Sequence, residues 1–456
     1  MAEVLSVLYL ALFALAGLGV SRYLFYRDRP LIRVWLGLAF GMLLFLWLPA
    51  LFSFALRFTM LSQLLALATA CIVGGVFWLL SRKKSLTAAP WKQELPALIT
   101  AGTLFLIGFT LLWTHTIVEK DGALYVGQST YGDLAMHLGF ISSIATQGTF
   151  PPMYSICPDK PVCYPFLSES AGATIYLFGT SLRFATMLTA SYAFLLVCLG
   201  VYCFFEQWLD QRRKAVFSTL LFLLGGGFGF WYFFDLLKVN PDNLTRLFTA
   251  FYETPTNYVQ YGLRWVNPIA DMLIPQRALL FGWALLFPCL FLLYRGAFKK
   301  DYSAFVPLGV LAGGLPLVHT HSFLALGIIS AFWLMRSFVR AEGKKQYLGY
   351  LKYLLIVLAL AVPQLILFTF KQSGSFLKLH FNWANESDNY IWFYIKNFGL
   401  IALLFPVAFI AAKKEDRAVM GGGLLIWIIA EFIQFQPNTY DNNKLLFIAF
   451  ALACGL

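Results

Sequence analysis

The chain has 456 residues, of which 60% are hydrophobic and only 12% charged, so it cannot hide its apolar surface against itself and needs lipid. A formal charge of +12 does not argue for nucleic acid, because the basic residues fall in short clusters between apolar runs, where the positive-inside rule accounts for them. The runs recur at about twenty residues, rich in Leu, Phe, Ala and Gly, without the alternation of a membrane barrel, and they predict an all-α polytopic membrane protein.

The first run, residues 1–18, carries Glu3 and lacks the basic start of a signal peptide, so a retained helix is expected. Arg22, Arg27, Arg29 and Arg33 follow it, and Arg82, Lys83, Lys84 and Lys92 follow the third run, which assigns both loops to the cytoplasm. Further basic clusters at 212–214, 295–300, 336–352 and 413–417 orient the rest. Helices are predicted near 4–20, 34–56, 61–81, 96–117, 184–205, 215–237, 277–294, 303–317, 322–338, 351–370, 391–411 and 418–436, with another starting at 445, about twelve or thirteen crossings in all. The stretch 303–338 begins and ends beside basic clusters and must cross twice, which turns His319 and His321 at the outer face.

Three parts follow: N-terminal helices over 1–117, an extracytoplasmic loop over 118–183 with an interfacial helix, and helices with extracytoplasmic loops over 184–456. The sequence stops in the apolar run 450–456, so the last helix is expected to be incomplete. Every histidine (His115, His137, His319, His321, His380) falls at or near the outer boundary, together with acids that include Asp133, Glu169, Glu253 and Asp441. Exclusion of basic residues from translocated loops leaves acids there by default, but it does not account for the histidines.

In the first outer loop, apolar residues at 134, 138, 141 and 144 give the stripe of an amphipathic helix lying at the membrane surface. Asp133 and His137 share one face of it, with Asp133 at the positive end of the helix dipole. A carboxylate held beside a histidine suits proton abstraction from a hydroxyl; the plainer alternative is a helix-capping aspartate with a coincidental neighbour. Cys157 and Cys163 are spaced for a small disulfide loop or stand as free thiols.

Further along, Arg277, after Pro275 and Gln276, brings a guanidinium to the outer end of an apolar helix, where it can grip a phosphate or snorkel to the interface. His319 and His321 can ligate a metal, bond a phosphate or satisfy helix-end groups. The polar run 434–444, with Asp441, Asn442, Asn443 and Lys444, suggests ligand contact over a merely solvated loop. The loop 238–276 reads as partly re-entrant, and 371–390 mixes Lys371, His380 and Trp383 in a way that suits sugar stacking or an ordinary interface. The glycine runs at 225–229 and 421–423 are expected to be close-packing sites within helices.

The segment Tyr131-Gly-Asp-Leu-Ala-Met-His137, the Phe150-Pro-Pro152 and Tyr164-Pro-Phe166 elements behind it, Pro275-Gln-Arg277, His319-Thr-His321 and Tyr440-Asp-Asn-Asn-Lys444 together resemble the GT-C class of integral-membrane glycosyltransferases. The resemblance covers the chain from about 118 onward. It implies a catalytic carboxylate, Asp133, and a donor phosphate held by Arg277 and Lys444. The chemistry of the other residues adds His137 to orient the acceptor, His319 and His321 to help neutralise the phosphate, and Asp441, Asn442 and Asn443 at the substrate. The donor would be a polyprenyl-phosphate-linked sugar and the acceptor a hydroxyl on a glycan, lipid or protein, at the extracytoplasmic face of the plasma membrane. No nucleotide cofactor is expected, and a divalent metal stays open. The class commonly carries a pair of acids in the loop motif, where this chain sets Asp133 beside a histidine. The rival from another class is a polytopic transporter or flippase, for which only Asp235 and Glu431 are acids within predicted spans.

Overall fold

A computed structural model describes residues 1–127, 130, 132–157, 159–242, 244–245, 259–370 and 377–456. Tyr131, Glu253 and Lys371, singled out above, lie outside the described residues.

Four long helices open the chain: α1 (Ala2–Leu24), α2 (Pro30–Leu56), α3 (Met60–Ser81) and α4 (Trp91–Leu111). A hairpin of β1 (Ile117–Lys120) and β2 (Ala123–Val126) follows, then α5 (Leu134–Gln147) and α6 (Leu167–Leu177). Next come α7 (Leu182–Leu209), α8 (Arg212–Leu223), α9 (Gly229–Val239) and α10 (Arg277–Phe298). The remainder is α11 (Phe305–Gly313), α12 (Thr320–Val339), α13 (Lys344–Gln364), α14 (Tyr390–Phe398), α15 (Leu400–Ala411), α16 (Lys414–Phe432) and α17 (Asn443–Cys454). A short pairing of β3 (Lys378–Leu379) with β4 (Ile433–Gln434) joins the segment before α14 to the one after α16.

Among the described residues eight helices are long and apolar enough to cross a membrane, nine if the bent pair α14–α15 counts as one span, where the sequence pattern predicts twelve or thirteen. Four of the shortfalls have a local cause. Charges at Lys414, Glu415, Asp416 and Arg417 fill the first turn of α16, and α11 has only nine residues. The expected helix at 215–237 breaks after Leu223, because the glycines at 225–227 mark a helix end and not a packing face within a helix. The expected helix at 391–411 bends by 99° at Gly399, whose φ of +60 with ψ of −135 lies in a region glycine alone occupies without strain. The two breaks meet. Phe228 N–H donates to the Lys396 carbonyl at 2.7 Å, and a Cβ on Gly227 would stand 2.3 Å from the carbonyl oxygen of Asn397. The second glycine run does pack helices, since side chains on Gly421 and Gly422 would collide with or press on Phe332 and Trp333 of α12.

Within the expected double crossing at 303–338 the chain does reverse between α11 and α12, but only α12 is long enough to count as a span. α11 runs back along α10, with Phe305 against Gly296 at one end and His319, beyond the turn that follows, against Gly282 at the other. α12 then returns, bringing Trp333 edge-on to Phe298 at 5.0 Å. Gln364 of α13 ties that turn down: its Oε1 accepts from Leu317 N–H at 3.2 Å and its Nε2 donates to the Gly313 carbonyl at 2.6 Å.

This arrangement separates two polar ends. At one, Arg29 pairs with Glu94 at 3.0 Å and with Glu206, and Arg295 bridges Asp28 and Asp301 at 2.8 and 2.6 Å. The ends of α1, α7 and α10 and the starts of α4 and α8 therefore share one charged layer. At the opposite end of α10 stands Arg277, and around it the residues described next.

Candidate functional site

The helix α5 begins one residue after Asp133, so Asp133 occupies its N-cap, yet its carboxylate makes no cap hydrogen bond. Instead Oδ2 accepts from Gln276 Nε2 at 2.8 Å, which leaves the carboxylate half-buried and turned toward the start of α10. The expected stripe at 134, 138, 141 and 144 does not lie in lipid. Leu134, His137, Phe140, Ile141 and Ile144 are buried, and α5 packs chiefly on α6. His137 is thus an inward-facing residue and not part of an interfacial surface.

Its partner is Glu169, not Asp133. His137 Nδ1 lies 3.0 Å from Glu169 Oε1, and both side chains are buried. Burial alone would raise the Glu169 carboxyl, but His137 and then Arg277 outweigh it and hold the group below its ordinary value of 4.5. An ionised carboxylate only accepts, so His137 must carry its proton on Nδ1. In its neutral form the ring presents a lone pair at Nε2, a buried atom with no hydrogen-bond partner among the described residues.

Arg277 completes this triad and is the clearest correction to the sequence reading, which aimed it at a donor phosphate. Its Nε stands 3.2 Å from Glu169 Oε2, off the hydrogen-bond direction, because the N–H points at the Ser168 carbonyl. Nη2 donates to Ser168 O at 2.9 Å and Thr189 Oγ1 at 2.7 Å, and Nη1 to Thr186 O at 3.1 Å. The guanidinium is buried among protein acceptors, and its charge is matched to Glu169.

The turn between α11 and α12 delivers His319 and His321. His319 caps α12: its Nδ1 accepts from Ser322 N–H at 3.3 Å and lies 2.8 Å from Ser322 Oγ. An Nδ1 that accepts from an amide leaves the proton of the neutral ring on Nε2. His319 and His137 therefore have opposite tautomers, one offering a donor and the other an acceptor. The His321 ring lies 5.4 Å from that of His319, and the Nε2 atoms of both are buried without a partner among the described residues. Lys444, paired with Asp441 at 2.9 Å, is close enough to act electrostatically on both rings.

Tyr164 links the two halves. Its ring meets His137 edge-on at 5.9 Å, and its phenol is pushed well above its usual value by burial and then by the carboxylates of Glu169, Asp133 and Asp441. The Leu167 N–H also donates to the Leu317 carbonyl at 3.1 Å, which binds α6 to the histidine turn. The result is a buried group of His137, Glu169, His319 and His321 beside the partly buried Asp133, Tyr164, Asp441 and Lys444.

Other expected site residues have structural duties or lie elsewhere. Asn442, expected at substrate, is fully buried: it donates to the carbonyls of Ala430 and Ile433 and accepts from Phe435 N–H at 3.0 Å, pinning the polar run in place. Asn443 is buried at the start of α17. His380 lies 3.2 Å from Gln434 beside the β3–β4 pair, and His115 borders Thr114, so three of the five histidines come together. Cys157 and Cys163 are exposed free thiols. Among the described residues no group of three His, Cys, Asp or Glu side chains is placed to hold a metal ion.

Glu169 and Tyr164 were not picked out as site residues by the sequence reading. The signal available for Glu169 was a lone acid within the small-residue helix Ser168-Glu-Ser-Ala-Gly-Ala-Thr174, a place where an unpaired charge is too costly to keep. Compared with known protein families, curated proteins and solved structures, the chain matches none.

Proposed function

We propose that this protein is a membrane glycosyltransferase that moves a sugar from a polyprenyl-phosphate-linked donor to a hydroxyl acceptor at the extracytoplasmic face of the plasma membrane. The observation that carries this reading is the convergence, at one end of the helices, of the Asp133 carboxylate with buried imidazole atoms of both hydrogen-bonding senses.

In the proposed reaction the acceptor oxygen attacks the anomeric carbon and the bond from that carbon to the phosphate oxygen breaks. The electron pair leaves with the polyprenyl phosphate and the acceptor proton passes to Asp133. The half-exposed Asp133 is better placed than His137 to meet an incoming hydroxyl. Gln276 holds one carboxylate oxygen and leaves the other to work. His137, fixed by Glu169, accepts a hydrogen bond from the acceptor or sugar through Nε2. His319, fixed by Ser322, donates through Nε2 to an oxygen of the departing phosphate, whose growing charge Lys444 also opposes. Glu169 and Arg277 are positioning residues in this scheme, because they act through His137. The test is Asp133→Asn in purified protein: transfer is lost while the protein stays folded, and retained transfer would remove Asp133 from the role of base.

One observation favours the transporter reading. The breaks at 224–228 and at Gly399 cross one another, and discontinuous helices of that kind form the binding sites of many transporters. Against it, the buried acid nearest the breaks, Glu431, is engaged by Tyr394, and Lys396 by Asp388 and the Tyr261 carbonyl.

A further inference from the structure

At the end of the molecule opposite Asp133 there is a cavity of about 330 Å³ between the loop that ends α1, the loop that follows α3 and the start of α11. Its walls are fixed. Thr87 N–H donates to the Tyr26 carbonyl at 3.0 Å and Thr87 Oγ1 to the Arg27 carbonyl at 2.9 Å, closing the second loop onto the first. On the third side Arg295 bridges Asp28 and Asp301, one cation against two carboxylates, so that side offers an anion no free positive charge and the cavity's attraction rests on Lys84 and Arg27.

The remaining cations are not spent. Among the described residues neither Lys84 nor Arg27 has a carboxylate within ion-pair distance. Lys84 Nζ sits 3.7 Å over the Tyr23 ring and 4.4 Å over Tyr26, and donates to the Tyr23 carbonyl at 3.0 Å. Arg27 lies over the outer side of Tyr26 at 5.3 Å. The other half of the wall is apolar, from Leu24, Phe25 and Pro307. A free inorganic anion would have no use for that half. A phospholipid has both parts: a charged phosphodiester and, next to it, the apolar start of its chains.

We propose that this cavity binds the headgroup of an anionic phospholipid of the phosphatidylglycerol class, with the phosphodiester held by Lys84 and Arg27 and the glycerol backbone against Leu24, Phe25 and Pro307. The basic clusters place the cavity at the cytoplasmic leaflet, where anionic headgroups meet juxtamembrane Lys and Arg. The site is remote from the Asp133 end and stands whether or not the protein transfers sugar.

The test uses purified full-length protein in nanodiscs of phosphatidylcholine doped with phosphatidylglycerol, with retained lipid read by native mass spectrometry. Wild type should retain phosphatidylglycerol over phosphatidylcholine roughly tenfold or more, on the scale expected for two basic residues. Arg27 is exposed and makes only a ring contact, so Arg27→Gln should lower the preference on its own in a protein that stays folded, and adding Lys84→Gln, which also removes the bond to the Tyr23 carbonyl, should bring it to parity. The Arg27→Lys, Lys84→Arg pair should keep it, and added inorganic phosphate should not displace the lipid. Equal retention of the two lipids by wild type, an undiminished preference in Arg27→Gln, or displacement by inorganic phosphate would overturn the proposal.

Discussion

The imidazole of His137 on α5 and the carboxylate of Glu169 on α6, 32 residues apart in the sequence, meet at 3.0 Å in a buried setting. Arg277 stands at 3.2 Å on the far side of the carboxylate, so one acid orders a ring on α5 and a guanidinium on α10 together.

Breaking that link should cost stability. In Glu169→Gln the buried Arg277 loses its counter-charge, and removal of one partner from a buried ion pair costs about 3–5 kcal/mol. Thermal unfolding in detergent should show a large drop. A drop no larger than that of a surface substitution would mean the charge is compensated elsewhere.

The same carboxylate sets an acid limit. Its value in the folded protein lies below the ordinary 4.5, so the stability it contributes is fully present above 4.5 and disappears as pH falls through the lower folded value. Unfolding measured from pH 8 down to 3 should therefore show no loss of stability from this group until pH falls below 4.5, with a steepening loss thereafter that Glu169→Gln lacks.

Asp133→Asn should leave stability nearly unchanged, because the amide keeps an oxygen for Gln276 Nε2. Transfer should fall by roughly 10²–10⁴-fold, the usual size of a lost general base. Activity and melting temperature measured on one preparation separate this from misfolding.

At Gly282 a new Cβ would lie 2.5 Å from His319 Cβ. Gly282→Ala should destabilise by about 1–3 kcal/mol through overpacking and displace the histidine turn. Transfer should drop by more than the stability loss explains, in an assay run well below the variant's melting temperature.

Asn397, two residues before the break at Gly399, ties down the segment 262–265: it accepts from the amides of Arg264 and Trp265 at 2.6 and 2.9 Å and donates to the Gly262 carbonyl at 2.9 Å. Asn397→Ala strands these groups at about 1–3 kcal/mol for each one buried. Hydrogen exchange should accelerate first over 261–267, well before the long helices.

Length and hydropathy were enough to find the long helices, since a run that must cross lipid leaves a continuous apolar stretch. They overcounted where backbone geometry intervenes, as at Gly399, because hydropathy does not register a bend between two apolar segments. Loop charge was enough to put the His319 turn at the Arg277 end, as the packing of His319 on Gly282 bears out. What could not be read was partner choice. Asp133 and His137 are four apart and looked like a pair, but the nearer chain neighbour lost to Glu169, which tertiary packing delivers from another helix. The Arg277 side chain was legible as a cation in an apolar setting, while the acceptors that consume it, Ser168, Thr186 and Thr189, are ordinary helix residues with no mark in the sequence.

The most direct measurement gives purified protein a polyprenyl-phosphate sugar and a hydroxyl acceptor, follows products by mass spectrometry, and in parallel measures uptake into sealed vesicles. The account predicts glycosylated acceptor and free polyprenyl phosphate in equal amounts, and neither with Asp133→Asn. Uptake of the lipid-linked or polar substrate without any transfer would contradict it.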